Sequence, residues 1–310
     1  MVENIEITFL GTGSAVPTAR RNHTGTLLKY KEQNILFDCG EGIQRQFRIA
    51  SINPCKLTKI FISHWHGDHI LGLVGLLQTL AMNGYNGKLK IYGPRGTERS
   101  IDLILETYMR RYLEDSKSEG YNFEIEALDV DEGPLDNTEE YKIDAIRTDH
   151  GIPSLAYSFI VKEKNRIDKS KLKKLGIGNS PLIGELARGK SVKINDVTIN
   201  GKEITYTEEE KKVTIILDTR ANSNLINFAK ESNVLISEST FSSEEQEKAN
   251  KRGHLTSHDA ARIAKESNSK LLILTHLSQR YSNIPHVLEQ EAQTIFKNSK
   301  VVEDFDKLII

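Results

Sequence analysis

Cysteine and tryptophan are scarce in this chain, and long apolar runs are missing. Only two cysteines, Cys39 and Cys55, occur in 310 residues. That is too few for a disulfide framework and suits a reducing compartment. No stretch approaches the roughly 18 consecutive apolar residues that span a bilayer. Met1-Val2-Glu3-Asn4-Ile5 lacks the basic start and apolar core of a secretory signal. A soluble, cytoplasmic protein with no membrane partner is expected. An excess of positive charge is also absent: 42 Lys plus Arg face 43 Asp plus Glu, leaving a net charge of −1. This excludes a globally basic nucleic-acid binder but leaves room for a local basic surface. No repeat of solenoid period is evident. With 38% hydrophobic residues, the protein has enough apolar material to bury a large core.

The apolar patterning alternates between strand and helix. Ile5, Ile7 and Phe9 alternate with polar residues until Gly11-Thr12-Gly13-Ser14 breaks the run. Residues 25–30 and 34–38, flanking Lys31-Glu32-Gln33, read as a hairpin. Further strands are expected over residues 88–92, 141–146, 155–161, 213–217, 234–236 and 271–274, with helices over 70–80, 222–232 and 257–267. Strands at both ends with helices between them predict a layered α/β protein with mixed sheets.

Histidine is present in modest number but in a telling place. Three of the nine histidines fall in His64-Trp65-His66-Gly67-Asp68-His69, directly after the apolar run Ile60-Phe61-Ile62-Ser63. A strand that runs into a loop of imidazoles and a carboxylate reads as a metal site at a sheet edge. His150, Asp218 and His276 each stand just beyond an expected strand as well. Singly, such a residue is more often a cap or a satisfied hydrogen-bond partner. The repeated setting is what matters, because strand ends on one sheet edge converge in space. Imidazole and carboxylate without thiolate suit Zn²⁺ or a similar ion. Seven such residues are too many for one tetrahedral ion and suit two. A paired site about 3.5–4 Å wide can clamp both oxygens of an in-line displacement at phosphorus and lower the pKa of water to roughly 7. Metal-assisted hydrolysis is the expected chemistry.

One stretch departs from the rest in charge. Residues 162–190 hold nine basic residues (Lys162, Lys164, Arg166, Lys169, Lys171, Lys173, Lys174, Arg188, Lys190) against Glu163, Asp168 and Glu185, a local charge of 9 − 3 = +6. Gly176, Gly178, Pro181, Gly184 and Gly189 interrupt it. A protruding basic arm is expected, spanning residues 162–200, with a short helix over 169–175. Such an arm suits phosphates, since Lys and Arg release condensed counterions on binding nucleic acid.

The loop at 64–69 resembles the His-x-His-x-Asp-His signature of metallo-β-lactamase-fold hydrolases. More narrowly, the sequence resembles the ribonuclease Z family, endonucleases that remove 3′ trailers from precursor tRNA. The resemblance rests on Phe9–Ser14, Pro17-Thr18-Ala19-Arg20-Arg21-Asn22, Asp38-Cys39-Gly40-Glu41-Gly42-Ile43-Gln44-Arg45-Gln46 and His150–Tyr157. It implies a single domain over 1–310 folded as a four-layer αβ/βα sandwich, with the site at the seam of its halves. It assigns His64, His66 and His150 to one zinc, and Asp68, His69 and His276 to a second. Asp218 bridges them. Asp68 is then also the proton acceptor, and His254 the general acid for the departing 3′-oxygen. Asp38 and Glu238 are expected to support the site from behind, Glu238 by orienting His254. Arg20, Arg21 and Asn22, with Lys169, Lys171, Lys173 and Lys174 of the arm, are expected to touch RNA. A homodimer acting on precursor tRNA is implied. Three segments depart from the family pattern: Asn179-Ser180-Pro181 keeps only the proline of a Gly-Pro pair, Ser237 replaces a histidine, and Leu217 and Ala221 flank Asp218-Thr219-Arg220. The competing readings are another hydrolase of this fold acting on a small phosphodiester or sulfate ester, and an RNA-binding protein without catalysis.

Overall fold

The computed structural model describes residues 3–109, 124–174, 182–194 and 197–310. Two seven-stranded sheets form its centre. The first runs, in spatial order, Lys307–Ile309, Ile5–Gly11, Gly25–Tyr30, Gln33–Phe37, Lys59–Phe61, Lys88–Gly93 and Glu124–Asp129. The second runs Ser299–Val301, Leu272–Thr275, Val234–Glu238, Lys211–Ile216, Leu155–Val161, Tyr141–Arg147 and Gly133–Asn137. Both are mixed, as the sequence pattern predicts. Gly25–Tyr30 pairs antiparallel with Gln33–Phe37, which confirms the expected hairpin.

Alternation along the strands sorts their side chains into three apolar layers. Ile5, Ile7, Phe9, Phe37, Phe61, Tyr157, Phe159, Ile215 and Ile236 fill the space between the sheets. Ile60, Ile62, Leu27, Leu36 and Leu89, from opposite faces of the same strands, pack under Phe47, Leu73, Leu76, Leu77 and Leu80 of the helices Ile43–Ile49 and Gly72–Met82. On the far side, Ile216, Leu235 and Leu272 pack against Leu225, Ala260, Ile263 and Leu288 of three further helices. The result is the expected four layers, helix–sheet–sheet–helix. The strands are buried on both faces, which is why they read as continuous apolar runs.

Strand direction places the site. Lys59–Phe61 is parallel to Gln33–Phe37, and Lys211–Ile216, Val234–Glu238 and Leu272–Thr275 are mutually parallel. Their carboxyl ends carry Asp38, His64, Asp218, Glu238 and His276 to the seam. There the two halves are stitched directly, with Leu155 N–H donating to the Ser63 carbonyl at 2.9 Å and Tyr157 Oη donating to the Ile62 carbonyl at 2.7 Å.

The basic stretch forms a small unit of its own. Strand Lys164–Ile167 pairs antiparallel with Thr205–Glu208, so the excursion closes at Glu208, past the expected arm boundary at 200. Thr205–Glu208 carries no basic signal and joins the unit only by pairing. Leu186, Ile199 and Ile204 form its core, with Ile167 and Leu172 against them. The expected basic helix spans Lys169–Lys174. Asn179-Ser180-Pro181 and Leu175 lie outside the described residues.

Candidate metal centre

The loop after Lys59–Phe61 is aimed by what precedes it. Asp38, in the left-handed region at φ 57°, follows its strand and turns its carboxylate under the loop. There it accepts from Ser63 N–H, Ser63 Oγ and His69 Nδ1, each at 2.7 Å. His66 begins the one-turn helix Gly67–Ile70, which presents Asp68 and His69.

The seven residues converge. His66 Nδ1 lies 3.0 Å from His64 Nε2 and 3.1 Å from His150 Nε2. Asp218 Oδ2 is 3.6 Å from His64 Nε2, 3.5 Å from His69 Nε2 and 3.5 Å from His150 Nε2. On the other side, His276 Nε2 stands 3.2 Å from His69 Nε2 and 3.3 Å from Asp68 Oδ2. Two donor clusters result, His64–His66–His150–Asp218 and Asp68–His69–His276, each with its donor atoms within 4.8 Å of one another. Asp218 touches both.

The outer ring nitrogens are tied back, so the inner ones face the clusters. His150 Nδ1 donates to the Gly253 carbonyl at 2.7 Å, His69 Nδ1 to Asp38, and His64 Nδ1 meets Ser63 Oγ at 3.0 Å. His276, itself strained at φ 56°, meets Thr240 Oγ1 through Nδ1 at 3.0 Å. Such partners fix ring tautomer and orientation in metal sites.

These distances fit a cation. Donors held 2.0–2.1 Å from a tetrahedral zinc sit about 3.3–3.4 Å from one another, close to the separations seen here. Lone pairs of neighbouring imidazoles 3.0–3.2 Å apart repel unless a cation or proton lies between them. Asp218 Oδ1 is buried without a hydrogen bond; His276 Nδ1 lies 3.2 Å from it but is directed at Thr240. The protonation tendencies of His64, His66, Asp218 and Asp68 agree with this; at His69 burial is outweighed by the Asp218 and Asp38 carboxylates, which hold the imidazole well above its usual range, the charge a cation would take over. Burial, then the neighbouring His69, pushes His64 well down, and burial also lowers His66, so both keep free lone pairs. Burial disfavours the Asp218 carboxylate, yet His276, His69 and His64 outweigh it and hold the group well below its usual range. Asp68 is lowered too, its burial overcome by hydrogen bonds from His276 and His69. The residues fit a divalent metal.

Glu238 does reach His254. Its side chain is fully buried, and Oε2 lies 3.0 Å from His254 Nδ1 and accepts from Thr240 Oγ1 at 2.6 Å. Oε1 accepts from Thr219 N–H at 2.8 Å. Burial lowers His254, but the Glu238 carboxylate outweighs it and raises the imidazole to about 9. Glu238 and His254 also fall within metal-holding distance of Asp218 and His276. With Glu238 already holding three donors, its arrangement is that of a positioning group.

The Pro17–Asn22 loop divides. Arg20 is exposed. Arg21 is not, and its expected contact with RNA is corrected. Its side chain is 2% exposed, and Nη1 donates to Thr12 Oγ1 at 2.7 Å and to the Val302 carbonyl at 2.6 Å. The segment that follows Val301 folds back over the loop and claims the guanidinium as an internal brace. Asn22 Nδ2 is half-buried and donates to the Glu41 carbonyl at 2.8 Å, with its N–H on Asp304. In the arm, Lys171 Nζ donates to the Glu203 carbonyl at 2.8 Å. Lys169, Lys173 and Lys174 are exposed without an ion pair to any described residue.

Sequence reasoning missed Ser63, Thr240, the Gly253 carbonyl and the Ala15 N–H, which donates to Asp68 Oδ2 at 2.8 Å. Ser63 adjoins the ligand loop and was findable. The backbone groups carry no side-chain signal.

Comparison with known proteins bears on the whole chain. Residues 5–170, just over half of it, match a family model described as Anti-Pycsar protein Apyc1. In that half the chain belongs to that sequence group; the match takes in loop 64–69 and His150 but ends before Asp218, His254 and His276. Among solved structures, the short form of human tRNase Z aligns with a TM-score of 0.66 at 27% identity over 98% of both chains. The metallo-β-lactamase-fold protein YhfI of Bacillus subtilis aligns at TM-score 0.67 and 19% identity over 99% of this chain and 100% of its own, which shows the shared fold. Ribonuclease Z of Nanoarchaeum equitans is 40% identical over 89% of this chain and 84% of its own length. Ribonuclease Z of Enterococcus faecalis is 39% identical over 97% and 96%. With full-length similarity of this order, the chain belongs to the ribonuclease Z family.

Proposed function

We propose that this protein is a metal-dependent endoribonuclease that removes the 3′ trailer from precursor tRNA, leaving a 3′-hydroxyl on the tRNA and a 5′-phosphate on the trailer. The observation that carries this reading is the convergence of six donor residues around a seventh, Asp218, in a chain with full-length ribonuclease Z relatives. His64, His66 and His150 would hold one Zn²⁺, and Asp68, His69 and His276 a second, with Asp218 between them. Bound there, such ions lower the pKa of water toward neutrality and stabilise charge developing at phosphorus.

The protein's own groups do the rest. Asp68, held ionised, accepts the proton of the attacking water. His254, kept charged near neutrality by Glu238, donates a proton to the departing 3′-oxygen. Arg20 and Asn22 would touch RNA phosphates, and Lys169, Lys173 and Lys174 would grip phosphates farther along. The protein works in the cytoplasm as a homodimer in which one subunit's arm holds RNA for its partner's site. The small unit folded around Leu186 and Ile199 gives the arm a core of its own.

The test is metal quantification of purified protein alongside cleavage of a 3′-extended tRNA. Bound zinc and a metal-dependent cut near the discriminator base are expected. Asp68→Ala should lower turnover by several orders of magnitude with RNA affinity mostly kept; no cut by the wild type refutes the reading. If deleting residues 162–190 left turnover of the natural substrate untouched, a small ester would be the substrate instead.

A further inference from the structure

Asp68 receives a hydrogen bond from a backbone position that ought not to be stable by itself. Ala15 N–H donates to Asp68 Oδ2 at 2.8 Å. Ala15 lies in the left-handed region at φ 53°, and Val16 N–H reaches the Ser14 carbonyl at 2.6 Å, closing a three-residue turn around it. Alanine at a positive φ carries steric strain that glycine avoids, so surrounding contacts must hold this turn.

His23 supplies the contact. His23 is 5% exposed, and its Nε2 lies 3.2 Å from the Ala15 carbonyl. A carbonyl only accepts, so Nε2 carries the proton and donates. The His23 backbone bridges Gly13 at the start of the same turn. Gly40 lets the His23 backbone and Cβ lie close to the Asp68 segment, since a Cβ at Gly40 would meet His23 Cβ at 2.5 Å and the Asp68 carbonyl oxygen at 2.8 Å. One side of the turn therefore rests on His23, and the other faces the carboxylate that closes the Asp68–His69–His276 cluster.

We propose that His23 is a positioning residue for the metal centre: through Ala15 it fixes the rotation of the Asp68 carboxylate. This rests on the reading of Asp68 as a metal ligand. Removing a group that orients a ligand typically lowers metal affinity about 10–100-fold.

The experiment compares wild type, His23→Phe, His23→Gln, Ala15→Gly, Asp68→Ala and the double variant His23→Phe/Ala15→Gly. Zinc affinity is measured by competition with a chromogenic chelator, kcat and KM on 3′-extended tRNA, and thermal unfolding on metal-free protein. His23→Phe should weaken zinc by about 10–100-fold and lower kcat at limiting zinc, with KM for RNA unchanged. Gln places an N–H near the same point and should recover most of the affinity. Gly at position 15 adopts the turn without strain and should recover part of it. His23→Phe binding zinc as wild type does overturns the proposal, as does failure of both rescues. If His23→Phe does not fold, the comparison of His23→Gln and Ala15→Gly with wild type decides it: a loss of affinity in His23→Gln as large as in Asp68→Ala overturns it. Failure of the wild type to bind zinc overturns the metal reading instead, so the two failures are distinct.

Discussion

Neutralising Lys169, Lys173 and Lys174 together should weaken RNA binding through its salt dependence and leave chemistry alone. Nine basic residues made the arm conspicuous, but most are engaged within the protein. Arg166 pairs with Glu3 and Glu208, Lys164 with Glu140, and Arg188 and Lys190 with Glu185. Lys162 and Lys171 donate to the Thr138 and Glu203 carbonyls. The three remaining lysines share one exposed helix, Lys169–Lys174. Each phosphate contact contributes about 0.7–0.9 to the slope of log K against log salt, so the triple alanine variant should flatten that slope by about 2–3. Near physiological salt this is about 10–100-fold in affinity, read as KM on a 3′-extended tRNA. The slope is measured by titrating labelled RNA across a salt series. At saturating RNA, kcat should be unchanged, because the metal cluster is untouched. An unaltered slope refutes the reasoning. So does an equal loss from Arg188→Ala/Lys190→Ala, whose charges are already satisfied by Glu185.

Three further outcomes follow from the geometry. Arg21→Ala removes two buried charge-assisted hydrogen bonds and should cost about 2–4 kcal/mol in urea denaturation, with the RNA salt slope unchanged; a lowered slope would return Arg21 to the RNA surface. Asp38→Asn should reduce zinc affinity by about 10–100-fold by chelator competition, because the carboxylate aligns His69 through Nδ1; unchanged affinity would show that Ser63 alone holds the loop. Glu245 is partly buried, which by itself raises its pKa, but hydrogen bonds from Tyr281, Arg280 and Lys248 outweigh this and bring it down to about 2. Its folded pKa lies below the unfolded value, so its stabilisation is present above about pH 4.5 and lost as pH falls through about 2. The difference between wild type and Glu245→Gln should be about 1 kcal/mol at pH 6, after allowance for solvent screening, and vanish near pH 2; a gap that persists in acid would trace it to packing.

Much of the architecture was legible because the central strands are buried on both faces. Leu155–Val161 stands where its apolar run predicted, and Lys59–Phe61 leads directly into the ligand loop. Gly133–Asn137 and Glu124–Asp129 were invisible, since edge strands with half-exposed, polar residues have no periodic apolar signal and exist through pairing. The helix Ile43–Ile49 was likewise obscured by its polar face of Gln44, Arg45 and Arg48.

Side-chain type and local spacing alone determined the chemistry: imidazoles and carboxylates beyond apolar strands, and an arm rich in lysine. Which groups meet was decided only in three dimensions. Asp218 Oδ2 reaches His64, His69 and His150 because two sheets bring their strand ends to one seam. Arg21 turns inward because a segment some 280 residues later supplies its acceptor. Hydrogen bonds depend on positions in space, and sequence patterns record only separations along the polypeptide.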